Sequence, residues 1–463
     1  MNKENTGEPA HDRPAILIIA VLTALLTTFT GSALNLSIPS IDSEFHAGAT
    51  AIGWVINGYI LAAAAFSVPF GRLADLTGRV RVLKIGILVF SLCSGILCLI
   101  ESIEVLLILR VVQGLGAAMI FATNQATLIS YYPPEKRGSV LGFLIGATYT
   151  GLTTGPVLGG VLNHSFGWRS IFALTFIVGV ITFLLTIKLP KASPVPQEQE
   201  QSMDLLGSIL YILVIVSMMY GLSAYATEAF AKYLIPISIL LFLIFLRHEL
   251  RTKSPVIQIR LFRKNSSYLL SNLAAFLNYG ATSALGYLMS LYLQLIRGFD
   301  SQAAGLILIS QPLIMALLSP YTGRLSDRIS PHKLASFGMG FCALGLFIFI
   351  FIAADSPLVF VILPLVVVGL GFAFFSSPNT NAVMTCVEQR DYGVASSILA
   401  TMRNLGQSGS MAIVTFIVAG FLGNTPLGEA DASAIMYVMR ICFIVFTCLC
   451  TVGIFISLKR NKA

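Results

Sequence analysis

The turn after the second apolar run reads Gly71-Arg72-Leu73-Ala74-Asp75-Leu76-Thr77-Gly78-Arg79-Val80-Arg81. It sets one carboxylate among guanidinium groups, with glycines at both ends where a tight turn is needed. That arrangement does electrostatics rather than covalent chemistry: the carboxylate attracts basic side chains and the positive starts of nearby helices. The bland alternative is a basic loop that only sets topology. Much later the chain repeats the pattern as Gly323-Arg324-Leu325-Ser326-Asp327-Arg328, with Gly, Arg, Leu and Asp in register.

Three further groups of residues have chemical potential. Arg110 lies in an apolar run as Arg110-Val111-Val112-Gln113-Gly114-Leu115-Gly116. A guanidinium there is costly and faces a cavity or a partner, or else it snorkels beside Glu104 to the membrane interface. Gly151, Gly155 and Gly159, with Pro156 and Gly160, form a small-residue face at spacing four, along which a second helix can approach closely. Polar and aromatic residues inside other runs are candidates to line a central cavity: Asn35, Trp54, Asn57, Tyr59, Asn124, Gln125, Tyr149, Asn278, Tyr279, Gln311, Asn381, Arg403, Asn404 and Gln407. Each of these could equally be a hydrogen bonder between helices. Phe276, Phe372, Phe374 and Phe375 could add aromatic wall.

The elements that must position these residues are membrane helices. The 463 residues are 56% hydrophobic and only 11% charged, about half the charged fraction of a soluble domain. Apolar runs long enough to cross hydrocarbon are expected near 15–38, 51–70, 82–100, 104–130, 139–162, 170–188, 205–224, 233–247, 267–295, 302–320, 334–353, 357–378, 393–422 and 434–457. The eighth is short enough to be tilted or re-entrant. The reading is an all-α polytopic membrane protein with about fourteen helices.

The net charge of +8 is spread over turns on one side of the runs, not gathered into a nucleic-acid patch. By the positive-inside rule that side is cytoplasmic, with both termini there and the chain in the cell membrane. The expected layout is a cytoplasmic tail (1–14), a six-helix bundle (15–190) and a proline-rich linker (191–204). Two additional helices (205–247), a basic loop (248–266), a second six-helix bundle (267–457) and a short tail (458–463) follow. The seven cysteines show no metal or disulfide spacing. No metal or cofactor is expected.

These motifs together resemble the major facilitator superfamily, and more narrowly its fourteen-helix drug:proton antiporter branch, over essentially the whole chain. The resemblance implies a major facilitator fold of two six-helix bundles plus two extra central helices, in which Gly71, Asp75, Gly78, Arg79 and Arg81, echoed by Asp327, latch the bundles. It implies that Arg110, with Asp75, is tied to proton movement. The Gly151–Gly160 face resembles the motif of exporters, and Trp168-Arg169 and the His248–Arg263 stretch are also similar to the branch. One departure stands out: Thr30 occupies the place where the branch commonly carries an Asp.

The implied function is alternating-access efflux of small amphipathic or apolar compounds in exchange for protons, by a monomer in the bilayer. The alternative is transport of one specific metabolite. Arg403, should it face the cavity, would favour anionic or zwitterionic cargo. A membrane enzyme or receptor is the poorest reading: the chain has no phosphate-cradling glycine loop, no HExxH zinc pair and no GxSxG nucleophile turn, and no soluble signalling part is expected.

Overall fold

The computed structural model describes residues 13–45, 48–187, 189, 203–223, 228–252, 255–257, 262, 265–299, 301–422 and 431–459. Most of the expected 191–204 linker and part of the 248–266 loop lie outside them. The elements are α1 (Arg13–Phe45), α2 (Gly48–Thr77), α3 (Arg79–Leu97), α4 (Ile103–Tyr131), α5 (Arg137–Phe166), α6 (Arg169–Ile187), α7 (Leu205–Ser223) and α8 (Ala231–Arg251). After these come α9 (Ser266–Thr282), α10 (Leu285–Leu291), α11 (Ser301–Leu308), α12 (Ser310–Ser326), α13 (Pro331–Phe349), α14 (Val359–Thr385), α15 (Tyr392–Leu422) and α16 (Ala432–Lys459). Among the described residues, 11 helical segments are long and apolar enough to cross a membrane. With the shorter apolar α7, the long α15 and the broken α9–α10 segment, up to fourteen candidate crossings are present among the described residues.

Two runs expected to be single helices are broken. Between α9 and α10 the freed Ala284 N–H is taken up by Ser410 Oγ of α15 at 3.0 Å, and α10 ends in a π turn over Tyr292–Ile296. Between α11 and α12 the break falls at Ile309, three residues before Pro312, whose ring cannot accommodate the carbonyl four residues back. The doubtful eighth run is in fact a full helix of 21 residues, despite Pro236 within it.

Packing separates the helices into sets. Within the first six, α1 lies along α5, α2 along α4, and α3 against α4 and α6. Within the last six, α14 packs on α13 and α12, while α16 packs on α13 and α9, and α15 on α9. The sets meet along two seams, α5 with α12 and α2 with α15. The α7–α8 pair lies beside the second seam, with α7 touching both α2 and α15. There Tyr211 hydroxyl bonds Thr401 Oγ1 at 2.8 Å, in an apolar layer that includes Ala65, Val68, Val394 and Ile398. Glu249 of α8 accepts from Ile257 N–H at 2.9 Å and so pins the connector that leads to α9. The outer face of α8 shows Ile239, Leu240 and Leu243, each more than half exposed, as expected of a surface solvated by lipid.

The α1–α5 contact is where the glycine face is used. A Cβ on Gly159 would stand 2.6 Å from Ala33 Cβ, and one on Gly151 would stand 2.6 Å from Leu25 O. The close approach lets Thr28 Oγ1 donate to Thr148 O at 3.0 Å and Ser32 Oγ to Gly151 O at 3.2 Å. At the end away from the basic turns, Glu44 accepts from Trp168 Nε1 at 2.8 Å and pairs with Arg169 at 2.6 Å. That pairing with Arg169 holds the Glu44 carboxyl below its ordinary value.

A bulky side chain on the glycine face must part α1 from α5. Gly155→Leu, whose Cβ would lie 2.9 Å from Ser32 Cβ, is expected to cost ~1–3 kcal/mol by overpacking. The thermal midpoint in detergent should fall by several degrees, and an unchanged midpoint would show that the face is not packed this way.

Candidate functional site

Asp75 sits at the last turn of α2 and is 6% exposed. Its carboxylate accepts from the backbone N–H groups of Gly393 and Val394, both at 3.1 Å, at the start of α15 in the other bundle. Arg79 Nε donates to the same carboxylate at 2.8 Å, and another Arg79 nitrogen donates to Gln389 O across the seam. Glycine makes the approach possible: a Cβ on Gly71 would lie 2.7 Å from Gly393 O, and one on Gly393 would lie 2.6 Å from the Asp75 carboxylate. Gly78, at φ 109°, supplies the left-handed turn that starts α3.

The echo motif does the same in the opposite sense. Asp327, at the end of α12, accepts from Gly138 N at 2.6 Å and Ser139 N at 2.8 Å, at the start of α5. Gly142 and Gly323 touch along this seam, where a Cβ on Gly142 would lie 2.6 Å from Ser319 O. Each bundle therefore caps a helix of the other with a carboxylate, satisfying free N–H groups and the positive helix end together. Burial raises the Asp327 carboxyl above its ordinary value, against the lowering by its bonds to Ser139 and Gly138.

Two features of this seam depart from expectation. Arg81 is exposed, so the carboxylate is held by Arg79 and backbone amides rather than by the whole basic cluster. Tyr392, absent from the expected residues, is 3% exposed and lies 5.5 Å from the guanidiniums of both Arg79 and Arg137. Its partners come from the other bundle, more than 200 positions away, beyond the reach of any spacing argument.

Arg110 is 1% exposed and does not snorkel. Its Nε donates to Val55 O at 2.9 Å, and a second nitrogen donates to Gln113 Oε1. Its guanidinium lies 4.4 Å from the Tyr59 ring centroid, and Gln113 passes the chain of bonds to Ser94 at 2.8 Å. Thr30, 1% exposed, bonds Leu26 O at 2.8 Å and Thr175 at 3.1 Å. A neutral hydroxyl pair thus fills the position where the resembled branch carries an acid.

The expected cavity residues divide. Tyr59 faces into its own bundle, under Arg110 and edge-on to Phe90 at 6.4 Å between ring centroids. Trp54 stacks on Tyr220 of α7 at 5.2 Å, away from the centre. Asn278 is fully buried and faces Cys342 within the second bundle. Asn124 donates to Ala20 O at 3.0 Å and ties α4 to α1. In this structure these four side chains make contacts within or beside their own bundles. Gln311 is half-buried on α12, and Gln407 is exposed. The side chains of Asn35, Asn57 and Pro156 lie outside the described residues.

Tyr149 and Arg403 do converge. Tyr149 of α5 meets Phe372 of α14 edge-on at 6.4 Å, and Phe372 meets Tyr279 of α9 at 5.5 Å. Arg403 of α15 lies 5.7 Å from the Tyr279 ring and donates to Thr380 Oγ1 at 2.6 Å. Ser376 and Thr380 were not among the expected residues, although Asn381, Phe374 and Phe375 beside them were. The polar run Ser376-Ser377-Pro378-Asn379-Thr380-Asn381 inside an apolar helix was the available signal.

The comparisons agree with this architecture. Residues 20–411 match the family described as Major Facilitator Superfamily, and the chain belongs to that family of membrane transporters, which are not enzymes. It is 28% identical to the riboflavin transporter RibZ of Clostridioides difficile (strain 630), covering 96% of each chain. It is 30% identical to the multidrug resistance protein Stp of Mycobacterium tuberculosis (strain ATCC 25618 / H37Rv), covering 89% of this chain and 77% of that protein. The solved structure of the human organic anion transporter MFSD10 (TETRAN) shares the fold with a TM-score of 0.69 at 15% identity, covering 97% of this chain and 100% of that one.

Two outcomes follow from the caps. Asn in place of Asp75 turns one acceptor into an N–H donor facing an amide and removes the charge, a loss of ~1–2 kcal/mol for a helix cap. Asp75→Asn should therefore lower transport turnover several-fold while cargo affinity holds, and equal turnover would exclude the latch. The Asp327 cap gives the second outcome: Asp327→Asn should lower hydrogen-exchange protection of the Gly138 and Ser139 amides, whose N–H groups it now holds, and unchanged protection would exclude the cap.

Proposed function

We propose that the chain is a secondary-active exporter of the fourteen-helix drug:proton antiporter type, moving small amphipathic compounds out of the cell in exchange for protons. The observation that carries the reading is the reciprocal pair of carboxylate caps. They close one end of the bundle interface with contacts that can be made and broken without disturbing either bundle. Alternating access needs such an element, since it is a switch between two states that cargo and proton favour differently.

In this reading the basic end is cytoplasmic, both termini lie there, and the chain works as a monomer in the cell membrane. The bundles are 15–190 and 267–457, joined through the linker 191–204, the helix pair 205–247 and the loop 248–266. Among the described residues the carboxylates buried in the fold are Asp75, Glu249 and Asp391, all at the basic end. Proton coupling is therefore assigned to the seam rather than to a midplane acid. In this reading a proton taken up by a seam carboxylate while the cleft faces outward removes the charge that the partner amides hold and lets the seam part, and the proton then leaves to the cytoplasm. Arg110 holds α2, α3 and α4 in one unit while this happens.

Export rather than import is supported by the glycine face of α5 and by likeness to a protein named for multidrug resistance. The likeness to a riboflavin transporter over nearly the whole chain supports a second reading, movement of one specific metabolite. Everted vesicles carrying the protein and an acid interior separate the two. Collapse of the pH gradient by several unrelated compounds is expected for multidrug antiport, and collapse by one compound alone would favour the metabolite. Cargo movement with no effect on the gradient would exclude proton exchange.

A further inference from the structure

Of the arginines within the membrane helices, Arg110 and Arg403 differ in what surrounds them. Arg110 is enclosed, with a carbonyl, an amide oxygen and an aromatic ring around it. Arg403 is only partly buried. It donates from one nitrogen to Thr380 Oγ1, while its Nε is shielded from solvent and has no hydrogen-bond partner. The ion pairs among the described residues involve Asp75, Glu44 and Asp204, none of them with Arg403. Arg403 stands eleven residues into α15, about 16 Å along the axis at 1.5 Å per residue, which is about half the thickness of the hydrocarbon core. A cation at that depth without a counter-ion is unfavourable unless something supplies the negative charge.

The surroundings describe the rest of that something. Three aromatic side chains run from Arg403 to the other bundle in sequence: Tyr279, Phe372, then Tyr149. Neighbouring rings meet at 74° in both pairs, so each offers an edge or a face to a flat molecule lying between the bundles. Phe372 is 5% exposed and Tyr149 4% exposed, so the row is closed on itself here, and a flat cargo would have to part these rings to lie among them, withdrawn from water. The aromatic row crosses the bundle interface, whereas the charge belongs to one bundle only. Cargo bound here would touch both halves and would have its charge fixed by α15 and α14.

We propose that Arg403 is the anion-binding residue of the central cleft and that the preferred cargo is a flat aromatic molecule carrying a single negative charge. This rests on the reading of the cleft as the cargo route. Amphipathic cations, which lack a buried acid to pair with at this depth, are disfavoured there by the same guanidinium.

The test is equilibrium binding to the full-length protein purified in a neutral detergent, by calorimetry, with three probes of one shape: 2-naphthoate, 2-naphthamide and 2-naphthylmethylammonium. Naphthoate should bind about tenfold tighter than naphthamide, the effect of one charge-assisted hydrogen bond, and the ammonium should bind most weakly. In Arg403→Ala the preference for naphthoate should fall to within about twofold while naphthamide affinity holds, which also reports an intact site. Arg403→Lys should keep most of the preference, because it keeps the charge. Should Arg403→Ala fail to fold, Arg403→Gln takes its place. Equal binding of naphthoate and naphthamide to the wild type, stronger binding of the ammonium, or a preference that survives loss of the charge would each overturn the proposal. No gradient is involved, so a failure here leaves the vesicle result standing, and a failure of proton exchange leaves the binding result standing.

Discussion

A helix start carries several N–H groups without partners and a partial positive charge, and a carboxylate from another part of the chain can satisfy both at once. Asp75 and Asp327 each do this across the bundle interface, one toward α15 and the other toward α5. The remaining structure at that end serves the two contacts. Glycines at 71, 142, 323 and 393 remove the side chains that would hold the helices apart, and Arg79 fixes the carboxylate of Asp75 from its own side. Because lipid tails offer helices no hydrophobic reason to associate, such polar and close-packed contacts carry a larger share of the specificity than they would in water.

The two seams are not equivalent, although the motifs that form them are related. The α2–α15 seam has Arg79, Tyr392 and Gln389 in addition to the cap, and α7 lies along it through the Tyr211–Thr401 bond. The α5–α12 seam has the cap and a glycine contact. The extra helix pair therefore adds material to one seam only. Through Glu249 it also holds the connector into the second bundle, where Val256 and Ile257 join the same apolar layer as Val394.

Much of the fold was legible because membrane crossing leaves a coarse signal: about twenty apolar residues between polar turns. The motif at Gly71–Arg81 and its echo at Gly323–Arg328 were legible for the same reason, since charged residues stand out against hydrocarbon-facing sequence. Which side of a helix faces the centre was not. A helix that is apolar all round has no amphipathic face to read, so contacts such as Trp54 with Tyr220 and Asn124 with Ala20 could not be read from spacing. The amides capped by Asp75 and Asp327 were also hidden, because backbone groups have no sequence signature and their partners lie on distant helices. The break before α10 depends on Ser410 of a different helix, whereas the break before α12 could be traced to Pro312.

The two carboxylates bridge the basic ends of the bundles. Spin labels at positions 136 and 328, on opposite sides of the α5–α12 seam, report the separation of those ends directly by pulsed electron resonance in a lipid nanodisc. A short distance is expected in the wild type, with a shift of much of the population to longer distances when Asp75 and Asp327 are both replaced by Asn. An unchanged distribution in the double variant would contradict it.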